Sequence, residues 1–210
     1  MSASGAVRLG LSATALFIAG CAPLAPRKPA PPPVADAAIQ ALACVHDWRL
    51  QGRVAFRLPG ESGSFRLRWE QHGATYRLSA EGPLSAGGVR VEGDAGNVVV
   101  ESRGERRAYQ EPPEAVLASV LGYPLPLRAL RYWALGLADP DAGPARWSVT
   151  SDQRVLEQAG WVIRYEAMEH SVGAVPLPSR LRLEREGSWA RLLIERWDLD
   201  PAQLCREPMR

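Results

Sequence analysis

The stretch Leu50-Gln51-Gly52-Arg53-Val54-Ala55-Phe56-Arg57-Leu58-Pro59-Gly60 decides the fold. Leu50, Gly52, Val54, Phe56 and Leu58 fall on one side and Gln51, Arg53, Ala55 and Arg57 on the other, the period-two pattern of a half-buried strand. Pro59-Gly60 interrupts it. Phe65, Leu67 and Trp69 then resume against Arg66, Arg68 and Glu70. Beyond a turn at Gln71-His72-Gly73, Tyr76, Leu78 and Ala80 alternate with Arg77, Ser79 and Glu81. Val89 and Val91 flank Arg90, and Val98 and Val100 follow Gly93-Asp94-Ala95-Gly96. A parallel sheet covered on both faces would read as continuous apolar runs, so these are consecutive antiparallel strands with one dry and one wet face.

Two helices interrupt the strands. Pro112-Pro113-Glu114 suits a helix start, Leu117, Val120 and Leu121 give an apolar stripe, and Gly122 is a stop. A second stripe runs Leu127, Leu130, Trp133, Leu137, and a weaker one spans Ala37 to Asp47. Strands return at 147–150, 154–158, 161–165, 180–184 and 189–197, so the count is ten or eleven. A sheet that wide curls. The expected fold is therefore mainly β with a few helices, a curled antiparallel sheet forming an open or closed barrel that the helices partly cover. Arg and Glu at the outward positions argue against a barrel that spans a membrane.

Upstream of this body the chain has a different character. Arg8 is the only charge before an apolar run ending Ile18-Ala19-Gly20-Cys21. The run is shorter than the ~20 residues needed to cross a bilayer and fits a secretory signal. Its last four residues resemble a bacterial lipobox, which implies cleavage before Cys21 and lipid on its thiol. Ala22, rather than Asp, then favours onward transport to the outer membrane. From Ala22 to about Ala35 the chain carries Pro23, Pro26, Pro29, Pro31, Pro32 and Pro33, an extended tether reaching up to ~40 Å. The expected organisation is a signal peptide over 1–20, lipidated Cys21 and tether over 21–36, a folded domain over 37–200 and a tail over 201–210.

The whole chain has 210 residues with 25 basic and 23 acidic side chains. Loss of Arg8 with the signal leaves it nearer neutrality, so nucleic acid is not an expected partner. Lys28 is the only lysine. Cys44 and Cys205 remain after Cys21, and in an oxidising compartment they are either a pair or separate thiols, since sequence does not show proximity. No G-x-S-x-G, H-E-x-x-H, P-loop or G-x-G-x-x-G motif is present. His46, His72 and His170 are far apart, and nothing joins Glu166 and Glu169 to a substrate pocket. No catalytic residues, metal or cofactor are expected.

A set of short segments gives the chain a family likeness: Gly52-Arg53-Val54-Ala55, Trp69-Glu70-Gln71, Gly82-Pro83-Leu84, Gly122-Tyr123-Pro124-Leu125-Pro126-Leu127, Trp133-Ala134-Leu135-Gly136, Gln158-Ala159-Gly160-Trp161, Leu177-Pro178 and Ile194-Glu195-Arg196-Trp197. In this order, behind a lipobox, they resemble the LolB family of outer-membrane lipoprotein receptors. The resemblance implies eleven antiparallel strands in a half-barrel, a helical lid and an apolar cavity. It implies a monomer facing the periplasm that takes acylated lipoprotein cargo from the soluble carrier LolA and inserts it into outer-membrane phospholipid. It further implies that the loop bearing Pro83 and Leu84 acts in membrane insertion. Ser85 departs from the usual Pro-Leu-Gly there, the usual proline after Gly136-Leu137 is missing, and the tail after Trp197 has no counterpart.

The expected cavity wall is the inward series Val54, Phe56, Phe65, Leu67, Trp69, Tyr76, Leu78, Val89 and Val91, with Leu117, Leu130 and Trp133 from the helices, about half of which only fill a core. The alternative is a structural or assembly lipoprotein of the outer membrane whose apolar sheet face packs on a protein partner.

Overall fold

The alternation read from the sequence produces, in a computed structural model describing residues 38, 40–82, 88–121, 123, 125–151 and 153–205, a run of six consecutive strands. These are β1 (Asp47–Leu58), β2 (Glu61–His72), β3 (Thr75–Glu81), β4 (Val89–Gly93), β5 (Val98–Ser102) and β6 (Glu105–Tyr109). Two helices follow, α1 (Pro113–Leu121) and α2 (Leu127–Leu135). The chain then returns through β7 (Ala145–Thr150), β8 (Gln153–Gln158), β9 (Trp161–Ala167), the small hairpin β10 (His170–Val172) and β11 (Val175–Leu177), β12 (Arg180–Arg185) and β13 (Ser188–Leu199). All described residues lie within one unit, 31–210.

Eleven strands form one antiparallel sheet in the order β6-β5-β4-β3-β2-β1-β13-β12-β9-β8-β7. The first and last strands therefore meet in its middle, with Val54 opposite Leu192 and Phe56 opposite Ala190. Among the described residues the edge strands β6 and β7 are not paired with each other, so the sheet is open.

The wet face is ionic. Arg53 meets Glu195 at 2.6 Å, Arg77 meets both Glu70 and Glu92 at 3.3 Å, Arg90 meets Glu101 at 3.1 Å and Arg49 meets Asp198 at 3.2 Å. Exposed pairs of this kind contribute about 0–1 kcal/mol each, but opposite charges on neighbouring strands favour one register over another. Glu184 lies between Arg182 and Arg164. Burial alone would push its carboxyl up; the two guanidinium groups outweigh that and hold it below the usual range.

Backbone packing sets the register elsewhere. The pairing of β1 with β13 shifts between Gln51 and Gly52, and a Cβ at Gly52 would collide with the Leu193 carbonyl, a close approach that only glycine allows. The helices are ended as their sequence suggests. Glu114 in the first turn of α1 accepts from the Arg128 backbone N at 3.0 Å, tying α1 to the start of α2. Gly136, at φ 86°, closes α2 by donating to the Trp133 carbonyl while Leu137 donates to that of Tyr132.

The stretch expected to be helical from Ala37 to Asp47 is less so. It ends in a 3-10 turn, Ala41–Cys44, and β1 already begins at Asp47, because Trp48 and Leu50 continue the strand alternation and pair with Leu199 and Trp197. Cys44 and Cys205 form a disulfide across 161 residues, which decides between the two states the sequence left open. Around it the Cys205 N donates to the Ala41 carbonyl at 2.9 Å. The Gln203 side chain accepts from the His46 and Asp47 N–H groups and donates to the Asp47 carbonyl. Residues 201–205 are thus fastened to the segment where the chain enters the sheet. Because so long a loop is closed, reduction or Cys205→Ser is expected to lower stability by about 2–4 kcal/mol. Thermal unfolding with and without reductant checks this, and an unchanged midpoint would mean that the Gln203 side chain and the Cys205–Ala41 backbone bond suffice to hold the segment.

Candidate functional site

The helices lie on the apolar face, and burial along that face is uneven. On β1, Trp48 and Leu50 are buried whereas Val54 and Phe56, further along, are half-buried. The same gradient runs on β2 from Trp69 to Leu67 and Phe65, on β3 from Tyr76 to Leu78 and Ala80, and on β4 from Val91 to Val89. Antiparallel register puts the half-buried members together: Val54 faces Phe65, Leu67 faces Ala80, and Ala80 faces Val89. The Phe56 and Phe65 rings are 6.0 Å apart. One end of the dry face is therefore a closed core and the other a half-open apolar wall. Gly82 lies against this wall; a Cβ there would sit 2.9 Å from the Ser64 carbonyl and 3.1 Å from Phe65 Cβ.

Of the twelve residues expected to line a cavity, Val54, Phe56, Phe65, Leu67, Leu78, Val89 and Leu130 are half-buried. Trp69, Tyr76, Val91, Leu117 and Trp133 are instead buried core residues. The division has a physical cause: period two tells which face a side chain takes, while depth depends on where the two helices lie. Cys21, Pro83 and Leu84 lie outside the described residues. A surface depression of about 510 Å³ is bounded by 144–146 and 157–162, and no member of the predicted series lines it.

Two buried glutamines, which periodicity does not reveal, brace the buried core. Gln158, at the end of β8, accepts from Trp133 Nε1 at 2.9 Å and from the Asp139 N at 3.0 Å. It donates to the Asp139 carbonyl at 2.7 Å and to that of Gly143 at 3.0 Å. All four of its hydrogen-bonding positions are used, and they join α2, the following loop and the sheet. Gln71 accepts from Trp69 Nε1 at 3.0 Å and donates to the carbonyls of Gly73 and Thr75 across the β2–β3 turn. The signal available in the sequence was the position of each beside a turn in a segment shared with the resembled family.

Two tyrosines belong to the same core. Tyr165 on β9 donates its hydroxyl to the Trp133 carbonyl at 3.0 Å, and burial pushes its phenol well up. Tyr76 is raised to about 12 by burial, reinforced by Glu114 and Asp94. Both are neutral near pH 7. The histidines have separate surroundings: His72 lies 3.7 Å from Asp47, and His170 meets the Ile194 carbonyl at 2.9 Å. Glu166 pairs with Arg191, and Glu169 uses its backbone N–H on Ser179. What the arrangement offers chemically is apolar contact at one end of the sheet.

Comparison with known proteins follows the same lines. Residues 46–197 match the family described as outer membrane lipoprotein LolB. Outer-membrane lipoprotein LolB of Pseudomonas aeruginosa is 36% identical over 208 residues, covering 95% of this chain and 99% of that protein. The LolB of Alkalilimnicola ehrlichii is 35% identical over 195 residues, covering 89% and 94%. Among solved structures, a LolA superfamily protein from Nitrosomonas europaea aligns over 83% of this chain and 99% of its own at 11% identity, with a TM-score of 0.46.

The sheet and its apolar face are thus those of an outer-membrane lipoprotein of the lipoprotein-trafficking class. The chain belongs to the LolB family.

The buried glutamine network carries a stability prediction. Gln158→Leu leaves Trp133 Nε1 and the Asp139 N–H without partners in a buried site and is expected to cost about 2–4 kcal/mol. Chemical denaturation checks it; a loss below ~0.5 kcal/mol would show that α2 is held by apolar contact alone.

Proposed function

We propose that this chain is an outer-membrane-anchored acceptor that takes acylated lipoproteins from the soluble carrier LolA and inserts them into the outer membrane. In this reading residues 1–20 are removed, Cys21 carries lipid, and 21–36 tether a domain over 37–200 that faces the periplasm as a monomer. Residues 201–210 form its tail.

The observation that carries the reading is the half-open wall made by Val54, Phe56, Phe65, Leu67, Leu78 and Val89, beside the point where Gly82 leads into the segment holding Pro83 and Leu84. A half-barrel form is supported by the reach of α2. Arg131 donates to the Gly73 carbonyl at 3.3 Å beside β2, while Tyr165 of β9 bonds to Trp133. Between β2 and β9 stand β1, β13 and β12, about 19 Å in a flat sheet at ~4.8 Å per strand. A nine-residue helix is only ~14 Å long, so a sheet curled around it brings both within reach, and the helices then act as a lid.

The energetics favour a protein-to-protein route. Three acyl chains of about fifteen methylenes each, at ~0.8 kcal/mol per methylene, would cost on the order of 35 kcal/mol in water. Transfer between apolar faces avoids that state, and each step then needs only a small affinity difference.

The test is photo-crosslinking. A reactive group at Phe65 is expected to capture the acyl chain of a triacylated peptide delivered by the carrier, and one at Trp133 is not. Capture at neither Phe65 nor Phe56 would remove the acyl-chain reading. For the loop, Leu84→Glu is expected to leave folding and acceptance from the carrier intact but to cut delivery into liposomes at least tenfold. Normal delivery by that variant would take the insertion role away from Leu84.

A further inference from the structure

The two free edges of the large sheet are unlike. Edge β6 carries Glu105, Arg106 and Arg107, with Arg107 on Glu105 at 2.8 Å and Arg106 on Glu92 at 2.9 Å. Charges of this kind keep a sheet edge from pairing with another chain. Edge β7, Ala145-Arg146-Trp147-Ser148-Val149-Thr150, is exposed along its whole length, and Arg146 is its only charge. Among the described residues, the exposed large hydrophobic side chains are Trp147, at 39%, and Val149, at 66%, both on this strand.

Trp147 and Val149 are two apart and share a face. That face is the dry one, because Trp147 pairs with Leu156 and stacks on Tyr165 with ring centroids 5.9 Å apart. The Arg154 guanidinium lies over the other ring contact, 4.4 Å from the Trp147 centroid. On the wet face Arg146 is 82% exposed and has Glu157 at 3.6 Å.

We propose that the free edge of β7 is a docking edge for an extended strand of the protein that hands over acylated cargo, added beside β7 with apolar side chains next to Trp147 and Val149 and an acidic one next to Arg146. This rests on the transport reading above. Three features select a strand over other occupants. A row of edge N–H and C=O groups is matched by another backbone, and alternate side chains supply specificity. An alkyl chain would cover Trp147 and Val149 but make no use of the edge or of Arg146. A second copy pairing through its own β7 brings no carboxylate to Arg146 in any register, since β7 contains none. Edge addition would also continue the dry face: the row Trp147, Leu156, Ile163, Leu183 would run into the partner's apolar face, so that acyl chains cross without meeting water.

The experiment uses the full mature lipidated chain in detergent and purified carrier loaded with lipoprotein. Hydrogen exchange at 145–150 is expected to slow when the carrier is added. Val149→Lys, and separately Arg146→Glu, are expected to slow carrier-dependent transfer at least tenfold, while uptake of a triacylated peptide without carrier and the thermal midpoint stay unchanged. Transfer at the wild-type rate by both variants, or no protection at β7, overturns the docking edge. Loss of carrier-free peptide uptake in the variants overturns it too, because β7 would then belong to the acyl site. So does a wild-type dimer that Val149→Lys converts to monomer, since the edge would be filled by a second copy. Failure of the wild-type chain to take up peptide overturns the transport reading instead, and carrier-induced protection at β7 still decides the edge.

Discussion

The structure depends on a mismatch of areas. Eleven strands at ~4.8 Å spacing make a sheet about 50 Å wide if laid flat. The dry face of that sheet is offered only two nine-residue helices, each ~14 Å long and ~10 Å across. Where the helices reach, Trp133, Val116 and Leu117 are buried against the strands and a core forms. Beyond their reach the same alternation continues but depth does not, and Phe56, Phe65 and Leu67 remain half-buried. The partly uncovered wall is therefore a consequence of too little helix for so much amphipathic sheet.

Such a sheet must be held in register without a full core behind it. Ion pairs on the wet face contribute little energy singly, yet they run from β5 to β9, with Arg90 on Glu101 at one end and Arg191 and Arg164 near Glu166 and Glu184 at the other. The arginine-rich composition has its place here. Within the core, Gln71 and Gln158 each bind an indole N–H and turn carbonyls, which fixes two turns and α2. At the chain's entry, the Cys44–Cys205 bond and the Gln203 contacts fasten the last described residues to the first strand.

The strands whose period could be read were those with one dry face: β1 to β5, β7 to β9, β12 and β13. Strand β6, Glu-Arg-Arg-Ala-Tyr, was missed because its charged and apolar side chains do not alternate. The hairpin β10–β11 was missed because three residues per strand are too few to show a period. Both helices were legible from their prolines, glycine and apolar stripes. Burial was not: Trp69 and Leu67 sit two apart on the same face, yet only Trp69 is closed over, its ring 5.0 Å from that of Trp48. The disulfide partners, 161 residues apart, and the glutamine bridges depend likewise on tertiary proximity.

The half-open geometry bears on how an acceptor would release what it takes. A pocket that buried an acyl chain on all sides would recover nearly its whole transfer free energy, at ~25 cal/mol per Å² of apolar surface, and would compete with a bilayer on equal terms. A wall that covers one side recovers only part of it, and the remainder is gained on entering the membrane. On the proposed acceptor reading, an apolar face left half covered would give transfer a direction. By the same argument, lengthening the helices until Phe56 and Phe65 were closed over would make a more stable protein and a poorer donor, so the shortage of helix and the direction of transfer are two aspects of one constraint.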